Sequence, residues 1–132
     1  MPQIPVGTKS EHQLLVTSEV SINVLGLEGA RVLATPHLIG FLEMTARNAV
    51  KPLLEDGFDT VGTHVDVRHL AATPMGMRAT FHAEVTAVED RRVRFRVEAF
   101  DEREKIAEGT HERFIVNVGR FAARLAAKAA GQ

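Results

Sequence analysis

Hydrophobic spacing changes once along this chain, and the change divides it. From Thr35 to Glu55 the apolar residues recur at helical intervals, and Leu38, Leu42, Ala46, Ala49 and Leu53 form one stripe. Ile39, Val50 and Leu54 widen that stripe, while Arg47, Asn48 and Lys51 lie opposite. Thr35-Pro36 supplies an N-cap followed by a residue with preset φ, so a helix is predicted over 36–55, with Asp56-Gly57 as its stop and Pro52 bending its last turn. After Gly57 the period falls to two. The segments 60–73, 77–89, 91–103 and 104–118 read as four consecutive strands, the clearest being Arg91-Arg92-Val93-Arg94-Phe95-Arg96-Val97-Glu98-Ala99. Turns fall at Pro74-Met75-Gly76, Glu89-Asp90 and Asp101-Glu102-Arg103-Glu104, which describes a meander. Leu14-Leu15-Val16 marks an earlier strand over 11–17. The stretch from Ser18 to Ala34, with Gly26 and Gly29 among apolar residues, reads as an irregular loop, and 122–132 as a short Ala/Arg/Lys helix running into a tail.

Strand, loop, long helix, four strands and short helix make an α+β layout. The apolar arc of the helix is wide enough to be wrapped by a curved antiparallel sheet, the hotdog arrangement. The long open edge of such a sheet is usually covered by a second copy, so a homodimer is expected.

Composition narrows the partners. The 132 residues suit a single domain spanning 1–132. Sixteen basic against seventeen acidic residues leave a net charge of -1, which gives no electrostatic reason to expect nucleic acid or an anionic membrane. No apolar run approaches a membrane span, and the N-terminus has no signal-peptide pattern. The absence of cysteine excludes a disulfide framework and a thiolate nucleophile, and fits a reducing cytoplasm. His12, His37, His64, His69, His82 and His111 are scattered, with His64 and His69 on opposite strand faces, so no metal site and no cofactor are expected. Arg92, Arg94 and Arg96 line one outer strand face, which reads as a solvated surface before it reads as a phosphate site.

Three residues stand out for chemistry. Glu43 falls inside the apolar arc of the helix, where a partly desolvated carboxylate suits proton transfer near neutrality. His69 shares strand parity with Val61, Thr63, Val65, Val67 and Ala71, so it points toward the helix as a core histidine or, with an inward Glu, as an acid/base. Thr35 caps the helix, and its hydroxyl lies by free N–H groups, a place that favours negative charge. The eight residues between Thr35 and Glu43 make little over two turns, so one substrate carbonyl could meet both.

The stretch from Gly62-Thr63 through His69-Leu70-Ala71-Ala72-Thr73-Pro74-Met75-Gly76-Met77, together with Gly109-Thr110-His111-Glu112-Arg113, resembles the fluoroacetyl-CoA thioesterase family of hotdog proteins. The likeness runs from about Thr35 to Phe121. It implies hydrolysis of a small or short-chain acyl-CoA, in a homodimer with sites at the subunit interface. By position it implies catalytic roles for Thr35, Glu43 and His69, an active-site glycine at Gly62, and substrate binding by Arg113. His69 would be general base or proton shuttle. Glu43 would orient His69 or act on water, and Thr35 would bind the carbonyl or attack it. The segment Thr17 to Ala34 departs from the family, whose longer segment carries Phe residues over the acyl pocket; here there is none. A hotdog domain that binds acyl-CoA without turnover, or a dehydratase, are the other readings of the same layout.

Overall fold

The computed structural model describes residues 3–23, 26 and 30–132. The chain runs β1 (Lys9–Leu15), β2 (Ser21–Asn23), β3 (Arg31–Leu33), α1 (Thr35–Val50), β4 (Phe58–His69), β5 (Arg78–Glu89), β6 (Arg92–Asp101), β7 (Lys105–Asn117) and α2 (Val118–Ala129). An antiparallel sheet in the order β1-β5-β6-β7-β4 holds the long strands, and α1 lies across it in the hotdog arrangement.

The wide arc of α1 is the reason for this packing. Leu38, Leu42, Ala46 and Val50 are buried against Phe81, Val85, Phe95 and Val97 of the sheet. Each of the Leu and Val side chains contributes roughly 1.5–3 kcal/mol by leaving water. Strict alternation on β6 places Val93, Phe95, Val97 and Ala99 inward. Arg92 and Arg94 reach Glu112 at 3.5 and 3.6 Å, and Arg96 reaches Glu84 at 3.2 Å, so the arginine row is a paired, solvated sheet face.

The structure differs from the sequence expectation at four places. The helix ends at Val50, because Pro52 cannot donate into the helical ladder; Lys51–Leu53 form a 3₁₀ turn, and Leu53 and Leu54 still pack on the core. Only β5, β6 and β7 form a meander. β4 lies beyond β7 at the sheet edge, and residues 70–77 cross over to β5. That crossover is pinned by Leu33 N–H to Thr73 O at 2.9 Å and Gly76 N–H to Val16 O at 2.8 Å, and it turns at Gly76, whose φ of +96° favours glycine. The segment expected to be a loop contains the β2–β3 ribbon, in which Ser21 pairs with Leu33, and Ala34 N–H bonds Val20 O at 3.0 Å beside the start of α1. Gly29 lies outside the described residues, while Gly26 has positive φ. Finally, the last helix begins at Val118, earlier than expected, because Asn117 Oδ1 accepts Arg120 N–H at 3.0 Å and caps it.

Candidate active site

The site is built on the first three turns of α1 and the inner face of β4 and β7. A bulge decides which β4 residues reach it. Gly62 pairs with Arg113 and His64 with Glu112, so Thr63 is the extra residue. Past the bulge, Val65, Val67 and His69 share the inner face, as their parity suggests. Before the bulge the parity is reversed: Thr60 and Gly62 face inward, and Val61 and Thr63 do not. Thr63 Oγ1 instead bonds Glu112 Oε2 at 2.7 Å. Gly62 and His69 are seven residues apart, an odd spacing that would set them on opposite faces of a regular strand. The bulge brings both to the helix side. His64 is exposed and faces outward.

Thr35 is the first residue of α1, and Ala34 occupies the N-cap without a side-chain bond. The Thr35 hydroxyl is not spent on capping. Its Oγ1 lies 2.8 Å from His69 Nδ1. The other ring nitrogen, Nε2, is buried and has no hydrogen-bond partner among the described residues. Burial pushes the His69 pKa below the usual 6.5, offset in part by the Ala71 backbone. The imidazole is therefore held toward its neutral form, which can accept a proton.

Glu43 sits deeper along α1, half-buried, and meets a different partner. Its Oε2 lies 3.6 Å from Arg113 Nη1. Arg113 is 6% exposed, a rare position for a guanidinium, and it is satisfied internally. Nε donates to Thr60 Oγ1 at 2.7 Å, Nη2 to Thr60 O at 2.8 Å, and Nη1 to His111 Nε2 at 3.2 Å. Gly62 leaves the space that the Glu43 carboxylate fills, since a Cβ there would lie 2.6 Å from Oε2.

All five expected site residues thus line the α1–β4–β7 region, in two pairs within the chain. Thr35 joins His69, and Glu43 joins Arg113 beside Gly62. Direct contact between Glu43 and His69 is not among the hydrogen bonds and ion pairs of the described residues. Sequence reasoning missed Thr60 and His111, both buried. Parity with Ala107 and Ile115, which are apolar and inward, carried the signal for His111 and Arg113.

The sequence profile of the fluoroacetyl-CoA-specific thioesterases matches residues 16–119. The chain is 35% identical over 129 residues to the fluoroacetyl-CoA thioesterase of Streptantibioticus cattleyicolor, covering 93% of each protein. It superposes on a solved structure of a fluoroacetyl-CoA thioesterase with a TM-score of 0.87 at 33% identity, over 96% of this chain and 98% of that one. A Thermus thermophilus protein of the thioesterase superfamily matches with a TM-score of 0.87 at 29% identity over 100% of both chains. Fold and sequence agree, and the chain belongs to the fluoroacetyl-CoA-specific thioesterase family.

Proposed function

We propose that the chain hydrolyses a small acyl-CoA to the free acid and CoA, as a homodimer whose active sites combine residues of both protomers. The observation that carries the chemistry is the 2.8 Å contact between Thr35 Oγ1 and His69 Nδ1, a nucleophile within reach of a neutral base. Thr35 Oγ attacks the thioester carbon while its proton passes to His69 Nδ1. The C–S bond breaks, and the proton moves on to the departing CoA thiolate. A water that gives a proton to Glu43 then attacks the acyl carbon, the bond to Thr35 Oγ breaks, and a proton returns to Thr35 Oγ as the acid leaves. The CoA complex solved for a fluoroacetyl-CoA thioesterase, with fluoroacetate also bound, supports a CoA thioester as the substrate class.

The support for a dimer is β4. It is an edge strand whose residues 62–66 are exposed, Val65 included at 38%. An unpaired edge of this length is covered most economically by the same edge of a second copy, antiparallel about a two-fold axis. With the axis near the middle of the exposed stretch, residue 62 falls within about three residues of the partner's His69, roughly 10 Å along the strands at ~3.3 Å per residue. Within one chain the same two positions are seven residues apart, roughly 23 Å of extended strand. The pairing therefore brings Glu43, Gly62 and Arg113 of one protomer to Thr35 and His69 of the other. Each of the three guanidinium nitrogens of Arg113 already has a partner in Thr60, His111 or Glu43, which favours a role in holding Glu43 over direct contact with substrate.

The test is thiol release from acetyl-, fluoroacetyl-, propionyl- and longer acyl-CoAs, with protein-free and Glu43→Gln controls. Free thiol above both controls on the small acyl groups supports the reading. Thermal stabilisation by the same compounds without thiol release overturns it in favour of a binding protein.

A further inference from the structure

The mechanism leaves one buried titratable group unused. His111 lies on β7 and is 2% exposed. Its two ring nitrogens have different partners, and the partners fix the tautomer. Nδ1 is 2.8 Å from the backbone carbonyl of His64, which can only accept, so Nδ1 carries the hydrogen. Nε2 is 3.2 Å from Arg113 Nη1, which can only donate, so Nε2 carries the lone pair. A ring satisfied in this way is neutral. A proton on Nε2 would face a guanidinium and cost the hydrogen bond as well.

Both bonds end at features the site depends on. His64 is the residue at which pairing resumes after the Thr63 bulge, and that bulge gives Gly62 and His69 the same inward face. Arg113 Nη1 lies between His111 Nε2 and Glu43 Oε2, at 3.2 and 3.6 Å. The ring also stacks on Phe95 at 6.0 Å between centroids, which limits its rotation.

The geometry points to His111 as a positioning residue of the hydrolase, a neutral Nδ1–H imidazole that aims the Arg113 guanidinium at Glu43 and holds the β4 bulge in place. This rests on Glu43 belonging to the reacting centre. The electrostatics agree. Burial, the Arg113 charge and the neighbouring His64 imidazole hold the His111 pKa below 6.5, while the His64 backbone and Glu43 act the other way. No other charged group among those acting on His111 opposes Arg113.

The tautomer is read directly from ring ¹⁵N shifts of the ¹⁵N-histidine-labelled protein, without reference to activity. Wild type should show His111 as the Nδ1–H form at pH 6.5, and Arg113→Lys should perturb that ring's shifts. An Nε2–H ring, or a charged one at pH 6.5, overturns the inference.

Kinetics provide the second arm. His111→Asn keeps a donor for the His64 carbonyl and loses the acceptor for Arg113, whereas His111→Gln offers an amide oxygen at longer reach. Small misplacements of reacting groups cost on the order of tenfold to a hundredfold in rate. His111→Asn should lose that much in kcat with KM little changed, and His111→Gln should recover part of it. Equal kcat loss in both variants, or none, overturns the positioning role. Should Glu43→Gln hydrolyse acyl-CoA at the wild-type rate, the placement of Glu43 in the reacting centre fails and takes this inference with it. An inactive Glu43→Gln beside a fully active His111→Asn sinks the His111 inference alone.

Discussion

The carboxylate of Glu43 lies where a side chain at Gly62 would have to be. A Cβ built on Gly62 would come within 2.6 Å of Glu43 Oε2, closer than such atoms approach, and within 3.3 Å of His111 Cε1. The glycine is present for space, as a helix residue and a strand residue meet at the bulge.

Gly62→Ala is expected to separate activity from stability. The nearest clashing atom is the end of a flexible side chain, so Glu43 can swing away, giving up its ion pair with the buried Arg113. Its new position is the wrong one for activating water. kcat/KM should fall about tenfold or more, as misplaced catalytic groups do, while the protein stays folded with a thermal unfolding midpoint only modestly lowered. A variant of unchanged activity would mean that Glu43 does not need this position.

Thr35 separates attack by the protein from attack by water. Thr35→Ser keeps the hydroxyl beside His69 Nδ1 and should keep most of the rate, and Thr35→Ala should lose on the order of 10²-fold or more. Mass spectrometry of quenched wild-type reactions should find the acyl group on Thr35. A Thr35→Ala enzyme of near-normal kcat, with no acyl adduct in wild type, would assign the attack to water.

Much of this was legible in the sequence because the signals were periodic. The stripe Leu38–Leu42–Ala46–Ala49 gave α1, and the alternation around Phe95 gave β6 with its arginines outward. Glu43 and His69 stood out as polar residues on apolar faces. The bulge at Thr63 left no such mark, since a bulge adds one residue without changing composition. Parity therefore placed His69 correctly and Val61 incorrectly on the same strand. Sheet order escaped for a related reason: a crossover at 70–77 and a hairpin can use the same Pro-Met-Gly turn, and only long-range pairing of β4 with β7 tells them apart. Thr35 reads from sequence as a helix cap with a hydroxyl open to a substrate carbonyl, but its contact with His69, 34 residues away, is one that no local rule includes.

The two buried imidazoles set a pH window. His69 and His111 both have folded-state pKa values pushed below 6.5, first of all by burial. The unfolded chain, with ordinary histidines, binds more protons than the folded one just below pH 6.5, so folding stability falls as pH drops through that range. The unfolding midpoint should decline from pH 7 toward pH 5, and less steeply in His111→Asn. The acid limb of kcat/KM attributable to His69 should lie below 6.5, since the neutral ring is the working form. An acid limb above 6.5, or a midpoint independent of pH across this window, would contradict the burial of these rings as a source of their chemistry.

Whether the site crosses the subunit interface can be decided by mixing two dead proteins. Glu43→Gln and His69→Ala should each lose ~10²–10⁴ in rate, the range for a positioned acid/base group. Glu43 and His69 have separate partners within one chain, Arg113 and Thr35. In a shared dimer each site would take Glu43 from one protomer and His69 from the other. A mixed dimer of the two variants then has one site with both lesions and one with neither. Random reassortment makes half of the dimers mixed, so about a quarter of the wild-type sites, and of the wild-type rate, should return in a two-fold assembly. The measurement is thiol release after co-expression with two different tags and tandem purification, which isolates the mixed dimer and should raise the recovery to about half. Each variant purified alone serves as the baseline. If every site used Glu43 and His69 of the same chain, each site in the mixed dimer would carry one lesion, and no recovery would be seen. Failure to recover activity in a dimer confirmed by sedimentation would place both residues of a site in one protomer.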